Sequence, residues 1–110
     1  MRLLGVVFAC VLALAFAGSA HAADAAAGRQ KAEQVCAACH GANGATPQTP
    51  DQPILAGQYA DYLVRAMTDY KTGARQNPIM KGFAAQLSKK DIEDLAEWFS
   101  AQRSPLHTER

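Results

Sequence analysis

The stretch CAACHG, Cys36 to Gly41, holds two of the chain's three cysteines and one of its three histidines. Residues three apart share one face of a helical turn, so Cys36 and Cys39 can address one bound object while His40 projects beside them. What that object is depends on where the chain works and on which other ligands it offers.

The N-terminus answers the first question. Arg2 precedes an apolar run from Leu3 to Ala17, and Ala20-His21-Ala22 fits a small-x-small cleavage site, the pattern of a secretory signal peptide. A membrane-spanning helix wants ~20 apolar residues, and this run gives way to Gly18-Ser19-Ala20-His21 before that. The expectation is a signal peptide over residues 1–22, a single domain over 23–110, a periplasmic location and no stable membrane insertion. A lipid attachment through Cys10 is a weaker reading still, because the apolar segment ahead of it is too short to serve as the signal's apolar region.

Cys36 and Cys39 are then the only cysteines, and losing Arg2 leaves ten basic and ten acidic residues. A neutral domain has no basic footprint for nucleic acid or an anionic membrane surface. A domain this short buries a small fraction of its surface and commonly needs a staple such as a metal, a disulfide or a cofactor.

The rest of the chain is helical in pattern. Asp24 can cap a first helix over about 25–35, rich in alanine. GANGATPQTPDQP, Gly41 to Pro53, carries three prolines and two glycines and is loop chemistry. A middle helix follows, with Tyr59, Tyr62, Leu63, Ala66, Met67 and Tyr70 at stripe spacing and Gly73 as its stop. Residues around Pro78 read as loop, with a short turn over 81–86. Ser88 with Asp91 forms a capping-box start for the last helix, whose apolar face is Ile92, Leu95, Ala96 and Phe99 and which ends near Arg103, before Pro105. Loops of this length need something to organise them.

Several chemistries use such a thiol pair. A thioredoxin-like redox pair follows a strand in a βαβ unit, and no strand pattern precedes Cys36. Structural zinc wants four Cys or His ligands, whereas only Cys36, Cys39, His40 and the tail's His107 are on offer. A plain disulfide would close a tiny loop and remove little chain entropy. The remaining reading is covalent haem attachment, for which C-x-x-C-H is the signature: two thioethers to the haem vinyl groups, with the adjacent imidazole on the iron. Haem would also serve as the missing staple.

From Ala25 to about Gln102 the chain resembles the class I c-type cytochromes, through AAAGRQKAEQVCAACHG, QPILAGQYADYLVRAMTDYKTGAR, NPIM and LSKKDIEDLAEWFSAQ. The likeness is to the small monohaem bacterial members and to single halves of the duplicated two-haem group; only one C-x-x-C-H is present here. The resemblance implies an all-α cytochrome c fold, with three main helices and long loops wrapped around one covalently bound haem c. It implies a one-electron carrier between redox partner proteins, working as a monomer and not as an enzyme.

A second strong ligand on the iron would close the site to small molecules and favour electron transfer. Met67 lies on the middle helix's apolar stripe, where core packing explains it. Met80 follows Asn77-Pro78-Ile79 in a segment expected to be loop, and in the resembled family the axial methionine lies in such a loop. The expected iron ligands are therefore His40 and Met80, and the expected cofactor-binding set is Cys36, Cys39, His40 and Met80. By the same resemblance, the Pro53 carbonyl should accept from His40, Leu55 should pack on the haem, Gly57 should turn the chain, and Gly28 should meet Leu95 and Trp98 at a helix crossing. The tyrosines should line the core, Asp94 should lie on a solvated face, and Lys71, Arg75 and Lys81 should form a weakly basic rim for an acidic partner.

Overall fold

The computed structural model of the chain describes residues 22–106, so the expected signal peptide up to His21, Cys10, and the tail from His107 lie outside the described residues. Among the described residues there are five α-helices: α1 (Ala25–Lys31), α2 (Ala37–His40), α3 (Ala60–Thr72), α4 (Pro78–Ala84) and α5 (Lys89–Ser100). Between α1 and α2 the helix widens into π-type turns over Ala32–Cys36 without breaking, so the first helical rod carries the whole CAACH motif beyond its expected end at Val35. The described residues contain no strand.

Three helices, α1, α4 and α5, start at a residue whose side chain satisfies free amides of the first turn. Asp24 accepts from the amides of Ala26 and Ala27. Ser88 and Asp91 bond reciprocally as a capping box, and the Ser88 amide holds the Asp91 carboxyl below its ordinary pKa. α4 corrects the expected loop and later turn: Asn77 accepts from two amides and Pro78 occupies the first helical position, where its missing N–H costs nothing, so the helix begins before Met80. Gly73 ends α3 with φ +87°, a left-handed conformation glycine adopts without strain. α5 stops at Ser100, three residues short of the expected end.

The buried cluster is Ala32, Leu63, Leu87, Ile92, Leu95, Ala96 and Phe99. Ile92, Leu95, Ala96 and Phe99 are the expected face of α5. α3 is turned differently: Ala60, Leu63, Val64 and Met67 face the cluster, while Tyr59 and Tyr62 are exposed. The aromatic residues dominated the expected stripe, but the spacing 60, 63, 64, 67 is equally helical and is the one buried.

α1 and α5 cross at Gly28. A Cβ placed there would lie 1.9 Å from the Asp94 carbonyl oxygen and 3.0 Å from Trp98 Cβ, so the nearest atoms belong to the Asp94 backbone and to Trp98. Asp94 itself is buried, contrary to the expected solvated face, because the crossing encloses it. Its carboxylate accepts from the Asp24 amide at 2.8 Å and pairs with Lys90, whose pKa that bond raises. The cap of α1 is thereby tied to the middle of α5.

Gly28→Ala would gain about 1 kcal/mol of helix propensity, but the obstacle is a backbone carbonyl that no rotamer can move aside. Overpacking of this kind costs typically 1–3 kcal/mol, so the expected outcome is a net loss, with the thermal midpoint lower by roughly 4–8 °C per kcal/mol in a domain this size. Calorimetry of the purified variant checks it.

Candidate functional site

The far end of the first rod presents Cys36, Cys39 and His40. Cys36 packs against the buried cluster, and burial pushes its thiol up to about 11. Neither cysteine is in a disulfide. Among the described residues no group of three or more His, Cys, Asp or Glu side chains is arranged to hold a metal ion.

His40 ends α2 and is only 7% exposed. Its Nδ1 lies 2.9 Å from the Pro53 carbonyl oxygen, as expected of Pro53. A carbonyl can only accept, so Nδ1 carries the proton and the neutral ring's lone pair is on Nε2, the tautomer and orientation a metal-binding imidazole needs. The loop that brings Pro53 here is held at several points. The Gln48 amide donates to the Cys39 carbonyl at 2.9 Å, and the amides of Gln48 and Thr49 donate to Gln52 Oε1 at 3.1 and 3.2 Å. Beyond Pro53, the Leu55 and Ala56 amides donate to the Gly44 carbonyl at 2.8 and 3.2 Å, and the Gly57 amide to the Phe99 carbonyl at 2.9 Å. Leu55 packs on the cluster, and Gly57 makes the expected turn with φ +73°.

The two methionines lie in different surroundings. Met67 packs against the buried cluster. Met80 is half-buried in the first turn of α4, its amide held by Asn77 Oδ1 at 3.1 Å and that of Ile79 at 3.0 Å. Ile79 and Phe83, on the same short helix, are exposed apolar side chains. The expected basic rim is partly engaged within the chain: Lys71 Nζ donates to the Leu87 carbonyl, and Arg75 donates to the Tyr62 hydroxyl at 3.4 Å and stacks 4.9 Å from the Tyr70 ring centroid. The Tyr62 hydroxyl also holds the Arg75 guanidinium firmly in its charged form.

Trp98 was expected only at the crossing. Its indole N–H also donates to the Ala42 carbonyl at 3.3 Å, two residues past His40, and its own carbonyl accepts from Gln102 at 2.8 Å. An indole donor was visible in the sequence; its partner, a backbone carbonyl of a distant loop, was not.

The residues present fit haem. Two thiols lie on one helical turn, an imidazole has its proton committed away from Nε2, and a half-buried thioether sits beside exposed apolar side chains that a large apolar plate would cover.

Residues 23–99 match the family described as cytochrome c oxidase, cbb3-type, subunit III. Cytochrome c4 of Pseudomonas aeruginosa is 46% identical over 94 residues, covering 84% of this chain and 46% of that protein. A thiosulfate dehydrogenase electron acceptor of Stutzerimonas stutzeri is 36% identical over 100 residues, covering 86% of this chain and 46% of its own. The crystal structure of reduced recombinant cytochrome c4 from Pseudomonas stutzeri superposes with a TM-score of 0.70 at 37% identity, over 77% of this chain and 48% of that one. The chain thus spans about half the length of the relatives it matches.

Asn77→Ala should cost α4 about 1 kcal/mol, the usual worth of an N-cap side chain. Amide exchange at Ile79 and Met80 is expected to accelerate, and Asn77→Asp, which keeps the acceptor, should restore the protection.

Proposed function

This chain belongs to the c-type cytochrome family, and from that membership we propose that it is a periplasmic one-electron carrier whose iron is ligated by His40 and Met80. The family's cofactor, covalently bound haem c, comes with that membership. We assign Cys36 and Cys39 as the thiols that form its thioethers.

When bound, the haem supplies a reversible Fe(III)/Fe(II) couple. The chain's residues set its properties. The observation that carries the reading is the His40 to Pro53 bond, which orients the imidazole and strengthens it as a donor. Met80 is preferred to Met67 because Met67 is committed to the buried cluster. A thioether is a softer, weaker donor than imidazole and favours Fe(II), giving a higher potential than two histidines would. With His40 and Met80 both holding the iron, the chain would need to turn over no substrate of its own, only partners that give and take an electron. The relative named as an electron acceptor supports that role. The signal-like N-terminus supports export, and no described helix is long and apolar enough to cross a membrane.

One observation favours a second reading: the matching family is described as an oxidase subunit. A permanently docked haem subunit would remain in a larger complex on extraction, whereas a shuttle is recovered as a free monomer.

Replacing Met80 by Ala is expected to lower the reduction potential sharply, abolish the weak far-red band of methionine-ligated ferric iron, and let carbon monoxide bind the reduced protein. Unchanged spectra would move the ligand to Met67.

A further inference from the structure

An α-helix advances about 100° per residue, so a residue four positions on lies roughly 40° further round. Counted that way from Gly28, Cys36 would sit roughly 80° and His40 roughly 120° off the stripe that meets α5. The structure does otherwise. Gly28, Ala32 and His40 are buried and Cys36 packs on the central cluster, at a regular spacing of four along the rod.

The difference arises within Ala32–Cys36. There the Ala37 amide reaches back to the Ala32 carbonyl, one residue further than an α-helical bond. A wide turn of this kind takes up one extra residue. With that residue absorbed, Cys36 and His40 each fall within roughly 20° of Gly28, on either side of it. The crossing and the attachment motif then present to the same side of the domain.

We propose that Ala32–Cys36 is a register adaptor: it absorbs one residue so that the helix crossing at Gly28 and the haem-attachment motif at Cys36–His40 stay in phase. The proposal rests on attachment at Cys36 and Cys39 as assigned above. What matters between Ala32 and Cys36 is the residue count, not the side chains of Glu33 and Gln34. Glu33 and Gln34 are both exposed.

A register adaptor has an asymmetric signature. In a plain α-helix, adding or removing one residue rotates everything downstream by about 100° and does equal harm. Here, removing one residue lets the wide turn revert to an ordinary α-helix with both ends still in phase. Adding one leaves a surplus that the turn has already spent its slack on.

The test uses the full chain made in a host with haem-ligation machinery, as the parent and as three variants: Gln34→Ala, deletion of Gln34, and insertion of one Ala after Gln34. Thioether bonds are counted by mass spectrometry. The reduced pyridine haemochrome band is an independent readout, because it moves to longer wavelength when a vinyl group stays unsaturated. Gln34→Ala and the deletion are expected to keep both thioethers, at yields within about twofold of the parent, whereas the insertion loses at least about tenfold of the doubly attached product. In the deletion variant, exchange of the Ala37 amide should slow as its bond shortens in register to an α-helical one. A deletion that fails as badly as the insertion overturns the adaptor, and so does an insertion that is tolerated. A parent lacking haem would instead overturn the attachment on which the proposal rests.

Discussion

The contact between Gly28 and the Asp94 backbone is the constraint on which the domain depends. Only a hydrogen fits where a Cβ would lie 1.9 Å from a carbonyl oxygen, so the first rod and α5 lie against each other at backbone distance. That closeness encloses Asp94, whose carboxylate then ties the Asp24 cap to α5. It also fixes one end of the rod whose other end carries Cys36, Cys39 and His40. Trp98, beside Gly28, extends the same contact to Ala42 through its indole N–H. The crossing and the cofactor motif are therefore one mechanical unit, with the imidazole's remaining freedom removed by Pro53.

The core built on this crossing is small. Phe99 and Leu95 are its largest fully buried side chains, while Tyr59, Tyr62, Ile79 and Phe83 remain exposed. Burial contributes about 25 cal/mol per Å² of apolar surface, so a domain leaving this much aromatic and aliphatic area open has unused stabilisation. A covalently held, largely apolar haem would recruit it, and a short chain with long, proline-bearing loops would then fold around its cofactor. The same arrangement suits the proposed electron transfer: the proposed ligands, carried on a pinned rod and a capped short helix, would need to move little when the iron changes charge.

Much of this was legible in the residues, for physical reasons that can be named. C-x-x-C-H is specific because few chemistries need two thiols and an imidazole so placed. Asp24, Ser88 with Asp91, and Gly73 were readable because capping is local. The His40 to Pro53 bond and the close crossing at Gly28 followed from the family resemblance. The errors share a cause. Asp94 was read as solvated because its own helix gives no sign of what crosses it. The tyrosine stripe was preferred on α3 because two stripes with the same period overlap there, and only tertiary packing chooses between them. The segment around Pro78 is helical where the sequence reads as loop, because the preceding Asn77 caps the first turn and Pro78 starts it. The wide turn over Ala32–Cys36 has no local sequence signal at all.

The central claim, haem welded to this motif, is tested most directly by tryptic mapping of the exported protein. The peptide over residues 32–65 contains Cys36, Cys39 and His40. The account predicts that it carries the added mass of one haem, with neither thiol open to alkylation. Recovery of that peptide at its unmodified mass with two alkylatable cysteines would contradict the account.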